Sequence, residues 1–316
     1  MQREMIVLGG NGFLGANLCE YAAKLGIKVV VLDKELGCDL AAEDGQKILR
    51  SQILRIAKES QSNDVDVVMM AAQLGANLFE STPIEPFEVN YAIDSKTIQT
   101  FESIKEGNPS INLHVSYCST SEVYGNLDDI LNVKLHRLPT VDPTYGRSLY
   151  AQEKLITETK LNYLRKANAL SSLRIFRPFN VSGKWQKRGV MHAMVKSAVE
   201  KHSIVYSFGQ TREITFVQDA MDQMLPSILS RENATIDITS RHHIFLADLA
   251  KCIVKALVAI DKKFEDIKVD DEIVQDCYIS TRGTVPVMNT KKQLDEFTKK
   301  LIVKKIVKDI YDGIAH

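Results

Sequence analysis

A regular alternation constrains this chain more than any other feature. Short apolar runs take turns with segments whose apolar residues recur at helical spacing. "MIVLGG" reads as a buried strand ending in a glycine turn. "FLGANLCEYAAKLG" follows with helical periodicity and stops at Gly26, a fitting C-terminal cap. "IKVVVLD" is the next buried strand and ends at Asp33. Further on, "GQKILRSQILRIAKES" reads as helix, "VDVVMMAA" as strand, "PFEVNYAIDSKTIQTFESIKE" as helix and "INLHVSYCST" as strand. "RSLYAQEKLITETKLNYLRKA" then reads as helix and "SSLRIFRPFN" as strand. Strands that are apolar throughout, separated by helices, predict an α/β fold with a doubly wound parallel sheet covered on both faces.

After about Asn180 the rhythm loosens into loops, short strands and further helices. In "LIVKKIVKDIYDGI" the residues Val303, Ile306, Val307 and Ile310 share one helical stripe, which predicts packing onto the body of its domain. Between Asp33 and Ala71 no obvious middle strand is seen.

The 316 residues suit one large or two modest domains with a sizeable core. Forty basic residues balance forty acidic ones, so net charge points neither to nucleic acid nor to an anionic membrane. The apolar runs are too short to span a bilayer, and the first of them follows directly on Arg3 and Glu4, which reads as no signal peptide. Cys19, Cys38, Cys118, Cys252 and Cys277 are scattered, odd in number and without C-x-x-C spacing. Reduced thiols in a cytoplasmic protein are the expectation, and no metal site is expected.

The turn in "EMIVLGGNGFLG" can be read in two registers. Gly10, Gly12 and Gly15 spell G-x-G-x-x-G, whereas Gly9, Gly12 and Gly15 spell G-x-x-G-x-x-G. In either register the glycines allow a sharp strand-to-helix turn and a close approach to a pyrophosphate, which the helix N-terminus then favours. Asp33 follows at about the ~20-residue distance at which a carboxylate meets a ribose diol. That carboxylate would repel a 2′-phosphate, so NAD is expected over NADP.

Two later stretches carry chemistry. One is "YCSTSEVYGN" from Tyr117, the other "SLYAQEK" from Ser148. Tyr150 and Lys154 are one helical turn apart and share a face. An ammonium near a phenol stabilises phenolate and is expected to bring the tyrosine from about 10 toward working pH. Such a tyrosine can take the proton of a substrate hydroxyl while hydride leaves the same carbon.

Together these residues resemble the extended short-chain dehydrogenase/reductase family, and within it the NAD-dependent nucleotide-sugar epimerase/dehydratase group. The resemblance rests on "GGNGFLG", "VVVLD", "AAQLGANLFESTP…PFEVN", "STSEVYG", "YAQEK", "FRPFNVSG" and "GQTREITFVQD", in that order along nearly the whole chain. It selects the register of Gly9, Gly12 and Gly15. It implies a Rossmann domain over residues 1–178 that binds NAD. Residues 179–316 are then a smaller, mainly substrate-binding domain, part of which can return to the Rossmann sheet. The implied cofactor positions are Gly9, Gly12, Phe13, Leu14, Gly15, Asp33, Ala71, Ala72, Asn90, Tyr150, Lys154 and Pro178. Tyr150 is the implied base, and Thr120 the group that hydrogen-bonds the reacting sugar hydroxyl. Asn180 and Arg212 are implied to reach the substrate diphosphate, a task that suits guanidinium. The resemblance also implies a homodimer through the long helices that carry Asn90 and Tyr150.

There are departures from the family spelling. Glu153 stands where a serine precedes the lysine. A rival frame, "TYGRSL" from Thr144, puts Leu149 in the lysine slot and is rejected for losing that lysine. Asp39 and Leu40 sit too early to be assigned as the adenine contact.

Enzymes of this type oxidise a sugar C4 hydroxyl to a ketone, which acidifies the C5 proton. Glu122, two residues after Thr120, is the expected C5 base of a dehydratase-type reaction. Thr120-Ser121-Glu122 equally resembles the UDP-glucuronate decarboxylases, and a simple 4-epimerase stays open. Two competing readings are a non-catalytic dinucleotide-sensing or scaffold protein and a reductase of small carbonyls. The Thr120, Tyr150 and Lys154 set argues against the first. The length beyond Asn180, together with Arg212, argues against the second.

Overall fold

The residues least able to face water form the centre of the first sheet. In strand β1 (Glu4–Leu8) the residues Met5, Ile6, Val7 and Leu8 are buried, with strand neighbours on both sides. The computed structural model describes residues 3–73, 82–124, 148–208, 210–240, 243–272 and 296–315. Residues 74–81 of "AAQLGANLFESTP", most of the "TYGRSL" frame and Cys277 lie outside the described residues.

The chain divides into two compact units. The first contains residues 1–123, 141–177 and 221–237, and the second contains 124–140, 178–220 and 238–316. In the first unit β1 leads through α1 (Phe13–Lys24) to β2 (Lys28–Leu32), and α2 (Glu43–Glu59) leads to β3 (Asp64–Met69). Then follow α3 (Ile84–Gly107), β4 (Asn112–Cys118), α4 (Ser148–Lys166) and β5 (Ser172–Pro178). Gly26 lies two residues past α1 with φ +74°, as its capping role requires. Between Asp33 and β3 the chain forms a 3₁₀ turn (Lys34–Leu36) and α2, with no strand, so β2 is the sheet edge.

The sheet order is β10-β5-β4-β3-β1-β2, with β10 spanning Ala234–Ile238. β2, β1, β3, β4 and β5 pair in parallel. This is the expected doubly wound arrangement, and it gathers the C-terminal ends of those strands on one edge. The core combines strand residues such as Ile6, Val67, Val115 and Ile175 with Leu49, Ile53, Phe101 and Leu161 from the helices.

The opposite ends of the strands are held by charge. Asp66 of β3 is buried and accepts hydrogen bonds from both Arg3 and Arg231, at 2.9–3.1 Å. Arg231 also pairs with Asp64. Arg231 directly follows helix α6 (Val217–Ser230), so this network ties residues 221–237 to strands formed far earlier in the chain.

The second unit has its own core. Helices α5 (Val190–Lys201), α7 (Leu246–Val258) and α8 (Glu296–Ala315) bury Met191, Val195, Leu249, Ile253 and Leu257. Val303, Ile306, Val307 and Ile310 of α8 join that cluster, as their stripe predicts. Three two-stranded pairs complete the unit: β6 (Val181–Ser182) with β9 (Thr215–Phe216), β7 (Ser203–Ser207) with β12 (Lys268–Glu272), and β8 (Thr211–Glu213) with β11 (His243–Phe245). Among the described residues no helix is long and apolar enough to cross a membrane.

The network at Asp64 makes stability depend on acid. Burial pushes its carboxyl up, but hydrogen bonds from Ser62, Asn112 and His114 and the charge of Arg231 outweigh it, lowering the pKa from 3.8 to about 2. A depressed carboxyl contributes stability that is complete above the unfolded value and is lost as pH falls through the folded one. The stability gap between the parent and Asp64→Asn, followed by circular dichroism, is therefore expected to close as pH falls from 3.8 to about 2. A gap that stays constant over that window would show that Asp64 titrates as an ordinary carboxyl.

Candidate active site

The glycine turn sits at the strand ends where β1 meets β3. Gly9 has φ +79°, and a Cβ there would lie 2.6 Å from the Ala71 backbone. A Cβ on Gly15 would lie 2.2 Å from the Gly9 carbonyl oxygen. Gly10 would instead meet the Val31 side chain. The backbone therefore requires glycine at Gly9 and Gly15, which favours the register of Gly9, Gly12 and Gly15. Gly12 is the N-cap of α1, and no side chain caps that helix. Phe13 and Leu14 form its first turn, so backbone N–H groups and the positive end of the helix dipole face an uncapped end.

Asp33 links the end of β2 to this turn. One of its carboxylate oxygens accepts the Asn11 N–H and the other the Glu35 N–H, each at 3.0 Å. Ala71 and Ala72 follow β3, half-buried. Asn90 is buried, and both ends of its amide clamp the Gln73 backbone, at 2.6 and 3.0 Å. Asn90 thus fixes the segment that carries Ala71 and Ala72. Asp39 accepts the Ala41 N–H and pairs with Lys34, a local structural role.

Helix α4 brings Tyr150 and Lys154 to the same edge. The Lys154 ammonium lies 6.0 Å from the centre of the Tyr150 ring and 4.8 Å from that of Tyr117. Thr120 is buried after β4, and its hydroxyl oxygen accepts the Glu122 N–H at 3.2 Å. Glu122 lies in the 3₁₀ turn Ser121–Tyr124, near enough for its charge to act on Tyr150. The structure therefore assembles Thr120, Glu122, Tyr150 and Lys154 within the first unit. Pro178, Asn180 and Arg212 belong to the second unit. There Asn180 has φ +39° and its carbonyl accepts the Thr215 N–H at 3.3 Å, while Arg212 on β8 donates to Gln210 at 2.7 Å.

The expected lowering of the Tyr150 phenol is not what the surroundings produce. Burial raises its pKa above the ordinary tyrosine value; Lys154 pulls it down, while Glu122, Cys118 and Glu153 push it up. The lysine acts with the expected sign, but its charge is shared. Its ammonium stands 3.7 Å from Asp94 and 3.8 Å from Glu153, both buried.

Sequence reasoning missed the side chains that hold this constellation. Glu158 of α4 forms a bidentate pair with Arg177 of β5, at 3.0 and 2.5 Å, and accepts the Ser119 hydroxyl at 2.5 Å. Asp94 accepts the Tyr117 hydroxyl at 2.6 Å. Helical spacing was the available signal: Glu158 lies one turn beyond Lys154, and Asp94 one turn beyond Asn90.

Comparison with known proteins finds relatives of this chain in sequence and in fold. A UDP-N-acetyl-alpha-D-glucosaminuronate decarboxylase from Bacillus cytotoxicus is 29% identical over 255 residues, covering 75% of this chain and 74% of that protein. A UDP-N-acetylglucosamine 4-epimerase from Methanobrevibacter ruminantium M1, solved in complex with UDP-N-acetylmuramic acid, superposes with a TM-score of 0.73 at 21% identity. It covers 99% of this chain and 100% of its own. An NAD-dependent NDP-hexosamine 5,6-dehydratase involved in tunicamycin biosynthesis superposes at 0.69 with 15% identity, over 100% of this chain and 99% of its own. The model of the NAD dependent epimerase/dehydratase family matches residues 5–269, and the chain belongs to that family.

Proposed function

We propose that this enzyme modifies a nucleotide sugar through a 4-keto intermediate, with NAD held by residues 1–178 and the sugar nucleotide mainly by residues 179–316. The observation that carries this reading is the assembly of Thr120, Glu122, Tyr150 and Lys154 at the strand ends that also carry the glycine turn. The turn fits NAD: glycine at Gly9 and Gly15 lets the backbone close tightly on itself, and the start of α1, with no side-chain cap, offers its N–H groups to a pyrophosphate. Gly12, Phe13, Leu14, Asp33, Ala71, Ala72, Asn90 and Pro178 complete the proposed cofactor contacts. When bound, NAD would supply a hydride acceptor and a positive charge that favours phenolate.

In the proposed reaction Thr120 orients the C4 hydroxyl and Tyr150, as phenolate, takes its proton as the C4–H bond breaks. Lys154 holds the cofactor ribose and counters the phenolate charge. The resulting ketone acidifies C5, and Glu122 accepts that proton, which starts loss of water across C5–C6. Asn180 and Arg212 engage the substrate diphosphate. A second reading, decarboxylation of a sugar with a C6 carboxylate, is supported by the similarity to the Bacillus cytotoxicus decarboxylase. Among the described residues, the unbridged thiols of Cys19, Cys38 and Cys118 suit a cytoplasmic setting.

A panel of UDP-, GDP-, dTDP- and CDP-sugars read by mass spectrometry separates the outcomes by loss of water, loss of carbon dioxide or no change in mass. On the turned-over sugar, Tyr150→Phe is expected to abolish the first oxidation. Glu122→Gln should leave that oxidation in place, so reduced cofactor accumulates, and slow the later steps by roughly 10²–10⁴. Full turnover by Glu122→Gln at the parent rate would remove Glu122 as the base and favour simple epimerisation.

Asp33 sets the expected cofactor preference. Calorimetric titration should give tighter binding of NAD than of NADP, because a 2′-phosphate meets the Asp33 carboxylate. Equal or tighter NADP binding would overturn the assignment.

A homodimer is supported by the exposed apolar residues Ile84 and Tyr91 on α3 and Ile156 and Tyr163 on α4. Light scattering at micromolar concentration is expected to report twice the chain mass, and a monomer would contradict it.

A further inference from the structure

Glu153, the residue that departs from the family spelling, has no part in the proposed chemistry, yet it is 0% exposed. Its Oε1 accepts the Thr157 hydroxyl at 3.3 Å, but its Oε2 has no hydrogen-bond partner. A buried carboxylate oxygen without a donor is costly. The charge count is equally unfavourable. Asp94 and Glu153 both face the Lys154 ammonium, at 3.7 and 3.8 Å, so two ionised carboxylates would leave a net negative charge in the interior.

One proton removes both difficulties. Placed on Glu153 Oε2, it gives that oxygen a hydrogen bond to make, toward Asp94, and leaves one carboxylate for one ammonium. Asp94 already accepts the Tyr117 hydroxyl and is the natural acceptor of the two. We propose that Glu153 and Asp94 hold a single proton between them, and that this proton keeps the charge of Lys154 available to Tyr150. Glu153 is thus a positioning residue that tunes the acidity of Tyr150 and touches no substrate. The inference rests on the reading of Tyr150 as the proton acceptor.

Tyr117 and Cys118 of β4 and Tyr150, Lys154 and Thr157 of α4 surround Asp94 of α3 and Glu153, and Glu122 of the turn after β4 acts on Tyr150. Burial raises the Glu153 carboxyl well above the ordinary range; Lys154 works against this, while Asp94 adds to it. Burial disfavours the Lys154 charge, but Glu153, Asp94 and Tyr150 outweigh it and the lysine stays protonated. As pH rises and Glu153 loses its proton, the new negative charge cancels part of the lysine's field at Tyr150, which makes the phenol a weaker acid.

Carbon-13 NMR of the full chain, labelled at the glutamate carboxyls, tests the shared proton without substrate. The Glu153 resonance is identified by its absence from Glu153→Gln. At about pH 6, where an ordinary glutamate is almost fully ionised, it is expected at the protonated-carboxyl position. An ionised position would overturn the proposal. Asp94→Asn gives an independent check, and if Glu153→Gln does not fold, Glu153→Asp identifies the resonance in the same way. Glu153 is then the sole carboxylate facing Lys154, and is expected to ionise; a resonance still protonated would refute the sharing.

The consequence for Tyr150 is read on whichever sugar of the panel is turned over. Glu153→Gln carries the same charge as the protonated pair, so its kcat/KM should match the parent at about pH 6 and exceed it by about tenfold at higher pH, where the parent's Glu153 is ionised. Profiles that coincide at every pH would overturn the tuning role. If no sugar of the panel is turned over, the functional reading fails while the NMR result still decides whether the proton is shared.

Discussion

The bidentate pair of Glu158 with Arg177 is the contact on which the geometry of the site depends. It joins the middle of α4 to β5, and through Ser119 it reaches the end of β4. Tyr150 and Lys154 lie on that helix, and Thr120 is the residue after Ser119. One buried ion pair therefore sets the helix against the strand end that it must face. A buried pair of this kind is retained at a desolvation cost, and losing either partner would leave the other charged and unsatisfied. What it contributes is a fixed relation between two elements that are distant in sequence.

The site placed there is governed by how one ammonium is shared. A single lysine beside a tyrosine would lower the phenol, and local spacing alone suggests as much. Here Asp94 and Glu153 compete for the same charge, and burial works against phenolate. Several neighbours together set the acidity of Tyr150, among them the carboxylates of Glu153 on α4 and Glu122 on the turn after β4. The end of α1 poses a simpler electrostatic problem. Its N–H groups carry no side-chain cap, and the glycine turn keeps side-chain atoms away from them.

Membership of the family fixes the fold and the cofactor class, but not which bond breaks after C4 is oxidised. Folds of this kind host several chemistries because the outcome is set by a few groups at the strand ends. Glu122 is such a group. Thr120 accepts its backbone N–H and so holds the turn that carries it, while its carboxylate acts on Tyr150. Its chemistry with substrate, whether it removes a proton or orients a carboxylate, is a property of a few ångströms and is invisible to the fold.

Much of this was legible in the sequence because it is local. The strand–turn–helix–strand pattern, the glycine turn, Asp33 at the strand end, Tyr150 with Lys154 and the stripe of α8 all follow from periodicity and short spacings. What the sequence alone determined was the parallel α/β class and the group of residues gathered at the strand ends, since a parallel sheet leaves those ends on one edge. Only the tertiary structure decided which charges share the interior. It paired Arg231 with Asp64 and Asp66, Glu158 with Arg177, and Lys154 with Asp94 as well as with its chain neighbour Glu153. Most of these partners are separated by many residues, and a buried charge is defined by whatever the fold brings within about 4 Å, at a dielectric that only burial creates.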